Sequence, residues 1–494
     1  MKHFGLACVV VPAVLWLAGS AYAASALDHL RSATKPTFAA KHSLPPLTRW
    51  GWRLPFELQV ELCSHWGYAL ELGEANANTL KQLDRPDSLP ARLVALAAKD
   101  PKRYPLSVLA HRPYYKADFK KACPPETWSV DAETGKKVWS PAAPDSVFAR
   151  GAKITADALA ALRKRAPVAI VLNGGEYALS VYGHHGRIWA KDARLLKAKG
   201  DKTWYAYVSE AKARQEGIVT AACRRAVPDR LLYIYYFADG CAHRNVYRGW
   251  DAWAWDYKDM RGVTDLPSSS VYYKHFNTGW TGDRDMLSQA LNGVGRHIGF
   301  GQNESYNWMN AGWTRKKMGP AAFGEIERYL GYLKCYYTAG MIGGVAGYFA
   351  YPKGGFAAKD VGEKPPHWLR QMIALGRVHA LFSHLEGFIR KGDLLPGPAR
   401  HKWSTDQPAY ELPTGDAAAR VLARKLRDRD AWLLCAWAAG GKDRDIEATV
   451  PKLGKVTLRA RTVGSVYRAT LKDGRPRLAL VDADGQRPTA ALRR

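Results

Sequence analysis

Hydrophobic and polar positions along the chain fall into two alternating rhythms. Short runs rich in β-branched and aromatic residues are separated by longer stretches with helical spacing, the pattern of a parallel sheet with crossover helices. In chain order the predicted strands are Trp50–Leu54, Gly67–Leu72, Leu106–His111, Val168–Leu172, Leu231–Phe237, Val271–Phe276, His297–Gly301 and Gly344–Tyr351. The fourth (VAIVL) is the clearest, set off by a helix predicted over Thr155–Arg165 and by the breaker Pro167. A second helix is predicted around Tyr205–Arg214. Eight strands with helices between them predict a (β/α)8 TIM barrel of the α/β class over residues 45–392. An open doubly wound sheet is the competitor, but neither GxGxxG nor GxxxxGK[ST] follows the early strands.

The rhythm changes after a helical stretch over Pro366–Arg390. Pro396-Gly397-Pro398 and Pro413-Thr414-Gly415 punctuate a linker. The runs Ala431–Trp437, Val456–Ala460, Ser465–Thr470 and Arg477–Val481 then predict a small C-terminal antiparallel β-sandwich over residues 400–494. Its expected job is to pack on the barrel; an independent sugar-binding module is the alternative.

The first residues read differently from the rest. Met1-Lys2-His3 is a short basic start, an apolar run follows to Leu17, and Ala21-Tyr22-Ala23 supplies small residues before a cut at Ala24. This predicts a signal peptide over residues 1–23 and a secreted or periplasmic protein, with a retained single-helix anchor as the alternative. No later segment holds 18 uninterrupted apolar residues, so no integral membrane association is expected. Beyond the signal lie Cys63, Cys123, Cys223, Cys241, Cys335 and Cys435, none in a CxxC pair, which argues against a structural zinc site. Cys335 and Cys435 fall in apolar stretches, where free core thiols compete with disulfides.

Charge narrows the partners. Against 45 Asp and Glu the chain carries 73 Lys and Arg, a formal net charge of +28. The basic residues are dispersed and no zinc-finger or RNA-binding signature appears, so nucleic acid is not the expected partner. For an exported protein, anionic polysaccharides are the natural counterpart. A basic surface that serves solubility alone reads equally well.

Active sites of such barrels lie at the carboxyl ends of the strands. After the fourth predicted strand comes Asn173-Gly174-Gly175-Glu176-Tyr177, and after the seventh comes Gln302-Asn303-Glu304-Ser305-Tyr306. Glu176 and Glu304 are therefore the expected catalytic pair, one protonating the leaving oxygen and the other attacking the anomeric carbon. Asp239, in Phe237-Ala238-Asp239-Gly240, is the reserve carboxylate, with Glu71 and Glu74 behind it. Aromatic and polar residues in the same loops suit sugar rings, whose C–H faces stack on aromatic rings. Asn173, Asn303, Tyr306, Trp308, Trp280, His111, Arg112, Arg244 and Trp250 are the expected substrate contacts. His184-His185 lacks a third ligand at useful spacing, so no metal and no cofactor are expected.

The strand order and placement of the two glutamates resemble the clan A retaining glycoside hydrolases, across residues 48 to about 355. The resemblance implies an acid/base after strand four, here Glu176, and a nucleophile after strand seven, here Glu304. In that clan Asn directly precedes the acid/base; here Asn173 stands three residues before Glu176, and the adjacent pair is Asn303-Glu304, which leaves the roles open. The expected function is cofactor-free hydrolysis of a polysaccharide, neutral or anionic. The alternatives are a polysaccharide lyase acting on uronate-containing glycans and a non-catalytic glycan-binding barrel.

Overall fold

The computed structural model describes residues 26–36, 44–51, 54–110, 112–174, 182–236, 256–273, 283–311, 326–349, 367–400, 408–439 and 441–482. Two four-stranded parallel sheets form the larger part. The parallel strands are β1 (Thr48–Gly51), β2 (Leu70–Ala75) and β3 (Leu106–Ala110), then, after a small hairpin of β4 (Trp128–Val130) and β5 (Lys137–Trp139), β6 (Ile170–Gly174) and β7 (Leu232–Tyr236). They continue with β8 (Ser270–Tyr273), β9 (Ser305–Ala311) and β10 (Met341–Phe349). One sheet runs β2-β3-β6-β7 and the other β1-β10-β9-β8.

The two sheets meet where Leu47 bridges Tyr68 in parallel, leading β1 beside β2. The first and last parallel strands also pair, Thr48 opposite Val345. Neighbours therefore follow one another from β8 through β9, β10, β1, β2, β3 and β6 to β7. Among the described residues no ladder joins β7 to β8; there the Asp265 carboxylate accepts the Tyr233 N–H (2.6 Å) and the Thr264 hydroxyl accepts that of Tyr235 (3.0 Å).

Both faces of these strands are covered, and the alternation of side chains separates two cores. Leu70, Leu72, Leu106, Val108, Val171, Tyr233 and Tyr235 pack against the helices Leu89–Lys99, Asp145–Arg163 and Trp204–Ala226. Ile170, Leu172 and Ile234 point the other way, into the cluster shared with the second sheet. Two of these helices start where a hydroxyl meets their free N–H groups, while Asp145–Arg163 starts after Pro144 without such a cap. The Ser88 hydroxyl accepts from Ala91 N and the Thr203 hydroxyl from Ala206 N, both at 3.2 Å. One polar pair lies on the inward face: Arg49 of β1 and Glu71 of β2 are 2.7 Å apart and almost fully buried. Burial pulls the Arg49 guanidinium below its ordinary range, against the opposing field of Glu71.

Among the described residues seven antiparallel strands follow: β11 (Gly392–Leu394), β12 (Arg420–Leu426), β13 (Ala431–Trp437), β14 (Arg444–Val450), β15 (Gly454–Ala460), β16 (Ser465–Lys472) and β17 (Arg475–Asp482). A sheet ordered β11-β12-β13-β16-β17 faces the hairpin β14-β15 across a core of Val421, Trp432, Leu434, Ile446, Val456 and Leu458. Its other face packs on the helix Ile326–Thr338. Gly331 of that helix has no room for a methyl group, because a Cβ there would meet the Trp437 ring at 2.1 Å. Lys334, also on the helix, is buried with Asp482 and donates to the Gly464 carbonyl. Arg424 donates to the carbonyls of Thr338, Phe388, Ile389 and Gly392, capping the ends of two helices. Cys335 and Cys435 meet in this junction as buried thiols, Sγ to Sγ 3.6 Å. Cys241 lies outside the described residues.

Most predicted strands coincide with observed ones to within a few residues, but His297–Gly301 does not. It is the end of a helix, Asp283–Gly299, and the strand follows at Ser305–Ala311. Leu287, Leu291, Val294 and His297 are buried at helical spacing, whereas Tyr306 and Trp308 alternate with Asn307 as a strand requires. Strands β4, β5, β11, β12 and β14 are not among those predicted.

The buried ion pair offers a test of the inward core. Replacing Glu71 with Gln leaves the Arg49 charge without its counter-ion, at an expected cost of about 3–5 kcal/mol in unfolding free energy. Urea denaturation should show a lower midpoint for Glu71→Gln, and the double variant Arg49→Met, Glu71→Leu should recover most of it. A single-variant midpoint equal to wild type would remove this role from the pair.

Candidate active site

In a parallel arrangement every strand ends on the same side, so the carboxyl ends of β2, β3 and β6 to β10 share one end of the molecule. Among the described residues this end presents Glu74, Asn76 and Arg112. Glu74 is exposed, and its carboxylate accepts a hydrogen bond from the Asn76 amide at 3.2 Å. Arg112 directly follows His111, which closes the predicted third strand and lies outside the described residues. So do Glu176, Asp239, Arg244, Trp250 and Trp280. In sequence, Glu176 comes two residues after β6 and Asp239 three after β7.

Glu304 stands elsewhere. Because the strand begins at Ser305, Glu304 and Asn303 precede β9 and lie at its amino end, opposite to the end expected. There Arg390 Nη1 holds the Glu304 carboxylate at 3.0 Å, and the same guanidinium reaches Glu386 at 3.5 Å. Asn303 lies against Gly340, the turn before β10, where a Cβ would meet the Asn303 carbonyl at 2.3 Å. Glu304 thus joins an ion-pair group under the antiparallel sheet, and the expected pairing of Glu176 with Glu304 across one mouth is corrected. The misplaced seventh strand is the cause.

Three expected substrate contacts are packing residues. Asn173 is buried and donates from Nδ2 to the Tyr233 hydroxyl (2.7 Å), while its Oδ1 accepts the Gly174 N–H (2.7 Å). It pairs in register with Tyr235, on the side facing the helices. Tyr306 donates to the Pro46 carbonyl (2.6 Å) and accepts from the Thr48 hydroxyl (3.1 Å), and burial raises its pKa. Trp308, two residues on, shares its face and is buried as well. That face also meets helices: Tyr306 lies beside Tyr68 and Tyr337, and the Tyr68 hydroxyl donates to the Met372 carbonyl of helix His367–Ser383 (2.9 Å). The remaining reserve, Glu71, is spoken for by Arg49.

Sequence reasoning missed a buried polar group behind β7. Lys212 and Glu216 of helix Trp204–Ala226 are 3.1 Å apart and almost fully buried. The Tyr235 hydroxyl donates to the same Glu216 oxygen at 2.7 Å. Burial lowers the Lys212 pKa against the pull of Glu216, and burial followed by the Glu216 field raises that of Tyr235. The Arg112 charge is felt by both Lys212 and Tyr235. An i,i+4 Lys–Glu pair in a sequence reads as a solvated helix face; only the neighbouring Tyr235, in a strand that packs on this helix, hints otherwise. Among the described residues no group of three His, Cys, Asp or Glu is placed to hold a metal ion, and no helix is long and apolar enough to cross a membrane.

No family model and no curated protein matches the sequence. Some solved structures align with it in part. A β-galactosidase from Rahnella sp. R3 aligns with 70% of this chain and 58% of its own, at 10% identity and a TM-score of 0.46. A GH36 α-galactosidase from Geobacillus stearothermophilus aligns over 94% of this chain and 59% of its own, at 10% identity and a TM-score of 0.44. A maltogenic α-amylase from Thermotoga neapolitana aligns over 94% of both chains, at 10% identity and a TM-score of 0.39. The chain thus spans 58% of the length of the β-galactosidase and 59% of that of the α-galactosidase.

Proposed function

We propose that the parallel strands form a (β/α)8 barrel and that the chain is an exported glycoside hydrolase acting on a polysaccharide, with Glu176 as acid/base and Asp239 as nucleophile. One observation carries the reading: β6 and β7 are adjacent and parallel, Gly174 opposite Tyr236, and each is followed within three residues by a carboxylate. Neighbouring strands lie about 4.8 Å apart. Retaining hydrolysis needs two carboxyl groups about 5–5.5 Å apart. Glu176 follows the fourth parallel strand, the acid/base place of the clan A pattern, and keeps that role here. Glu304, at the amino end with Arg390, has no part in the chemistry.

In this scheme Glu176 protonates the leaving oxygen as Asp239 attacks the anomeric carbon. Water, deprotonated by Glu176, then releases the sugar from Asp239 with retained configuration. Variants should separate the roles on 2,4-dinitrophenyl glycosides. Glu176→Ala should lose about 10²–10⁴-fold on unactivated polymer, yet keep activity on the activated substrate and form a retained glycosyl azide with azide. Asp239→Ala should be inactive on both, and Glu304→Gln should turn over at the wild-type rate. A Glu304→Gln loss of orders of magnitude would overturn the assignment, and a product absorbing in the ultraviolet would replace hydrolysis by elimination.

The net charge of +28 supports an anionic polymer as substrate. Activity at low substrate should then fall as salt rises, since the screening length shortens to about 8 Å at physiological ionic strength. A flat response, with neutral polymers degraded equally well, would assign the charge to solubility.

A further inference from the structure

Alternation along the parallel strands breaks near the end of β2. In the β2–β3 ladder Glu71 is opposite Ser107 and Glu74 opposite Leu109, so Leu72 and Gly73 together face Val108. This is a β-bulge, with Gly73 at φ 84°, a left-handed conformation that glycine adopts without a Cβ clash. The bulge decides direction. Strict alternation from Glu71 would put Glu74 on the side of Leu72, among the helices. The extra residue instead sets Glu74 in line with Leu109, Leu172 and Ile234, on the inward face, while Ala75 lines up with Ala110 in the helix-facing core.

Glu74 is exposed whereas every other residue of β2 is buried. The Asn76 side chain orients it from the next helix: Nδ2 donates to the Glu74 carboxylate (3.2 Å) while Oδ1 accepts the Thr79 N–H (2.9 Å). An exposed carboxylate, aimed inward at the carboxyl end of a parallel strand by a bulge, is placed where a ligand in the mouth would meet it.

We propose that Glu74 is a substrate-binding carboxylate, turned into the mouth by the Gly73 bulge to accept hydrogen bonds from two hydroxyl groups of a bound sugar. The proposal rests on the carbohydrate reading above and sharpens it. An ionised carboxylate accepts but does not donate, so it suits a pair of free hydroxyls and repels a sulfate or uronate at the same place. In a chain of net charge +28 this gives one subsite that selects an unsubstituted ring, whatever charge the polymer carries elsewhere.

Calorimetric titration with neutral and sulfated galactan, xylan and alginate oligosaccharides tests this. The comparison is wild type against Glu74→Gln, with Glu57→Gln, a change on the outer helix Phe56–Trp66, as control. Glu74→Gln should bind the preferred oligosaccharide about 10- to 100-fold more weakly, with the control unchanged. Carbodiimide labelling of Glu74 in wild type should fall severalfold when that sugar is bound. Sugar binding that leaves Glu74 labelling constant, or Glu74→Gln affinity within twofold of wild type, would overturn the Glu74 assignment alone. Absence of binding or cleavage of any sugar by wild type would overturn the carbohydrate reading and this proposal with it.

Discussion

The parallel strands are covered on both faces, and this fixes what every side chain on them can do. A residue on one face meets helices; the next meets the inward core. Tyr233, Tyr235 and Asn173 are committed to the helix side, as Tyr306 and Trp308 are in the other sheet, and none is left to face a ligand. On the inward side Ile170 is level with Glu71 of the buried Arg49–Glu71 pair, and Leu172 and Ile234 lie nearer the strand ends. Within that constraint polar chemistry can emerge only at the strand termini or where the alternation fails, and the Gly73 bulge is such a failure.

The two ends of the strands are held differently. At the amino end the antiparallel sheet is fastened by desolvated charges. Arg424 satisfies four carbonyls and Lys334 meets Asp482 beneath the sheet, while Glu304 and Arg390 pair nearby at a part-exposed margin. Burial lowers the Arg424 pKa to about 10, a measure of how far that guanidinium is removed from water. Such groups hold because each charge has its partners; removing one would leave the other buried and unpaired. At the carboxyl end the side chains in view, Glu74 and Asn76, are joined to each other at the surface instead.

Much of this division was legible in the sequence, through side-chain shape. The β-branched run at Val168–Leu172 announces β6, and Ala431–Trp437 coincides with β13. What misled was a glycine-rich helix end: His297–Gly301 carries too few residues to show its period, and the strand beyond it mixes Asn with Tyr and Trp. That single displacement moved Glu304 from one end of the strand to the other. The side of a strand on which Asn173 or Trp308 falls depends on register, and register depends on partners far along the chain. The buried Lys212–Glu216 pair was illegible for the same reason, since its cover is Tyr235 on a separate strand.

The central claim is that ligand chemistry belongs to the carboxyl ends of the parallel strands, with the amino ends given over to stability. Amide hydrogen exchange with and without a cleavable or tightly bound oligosaccharide tests it most directly. The account predicts ligand-dependent protection in residues 72–78, 175–181 and 237–255, with residues 302–305 and 386–391 unchanged. Protection centred on the segment around Glu304 and Arg390, with the carboxyl-end segments exchanging as before, would contradict it.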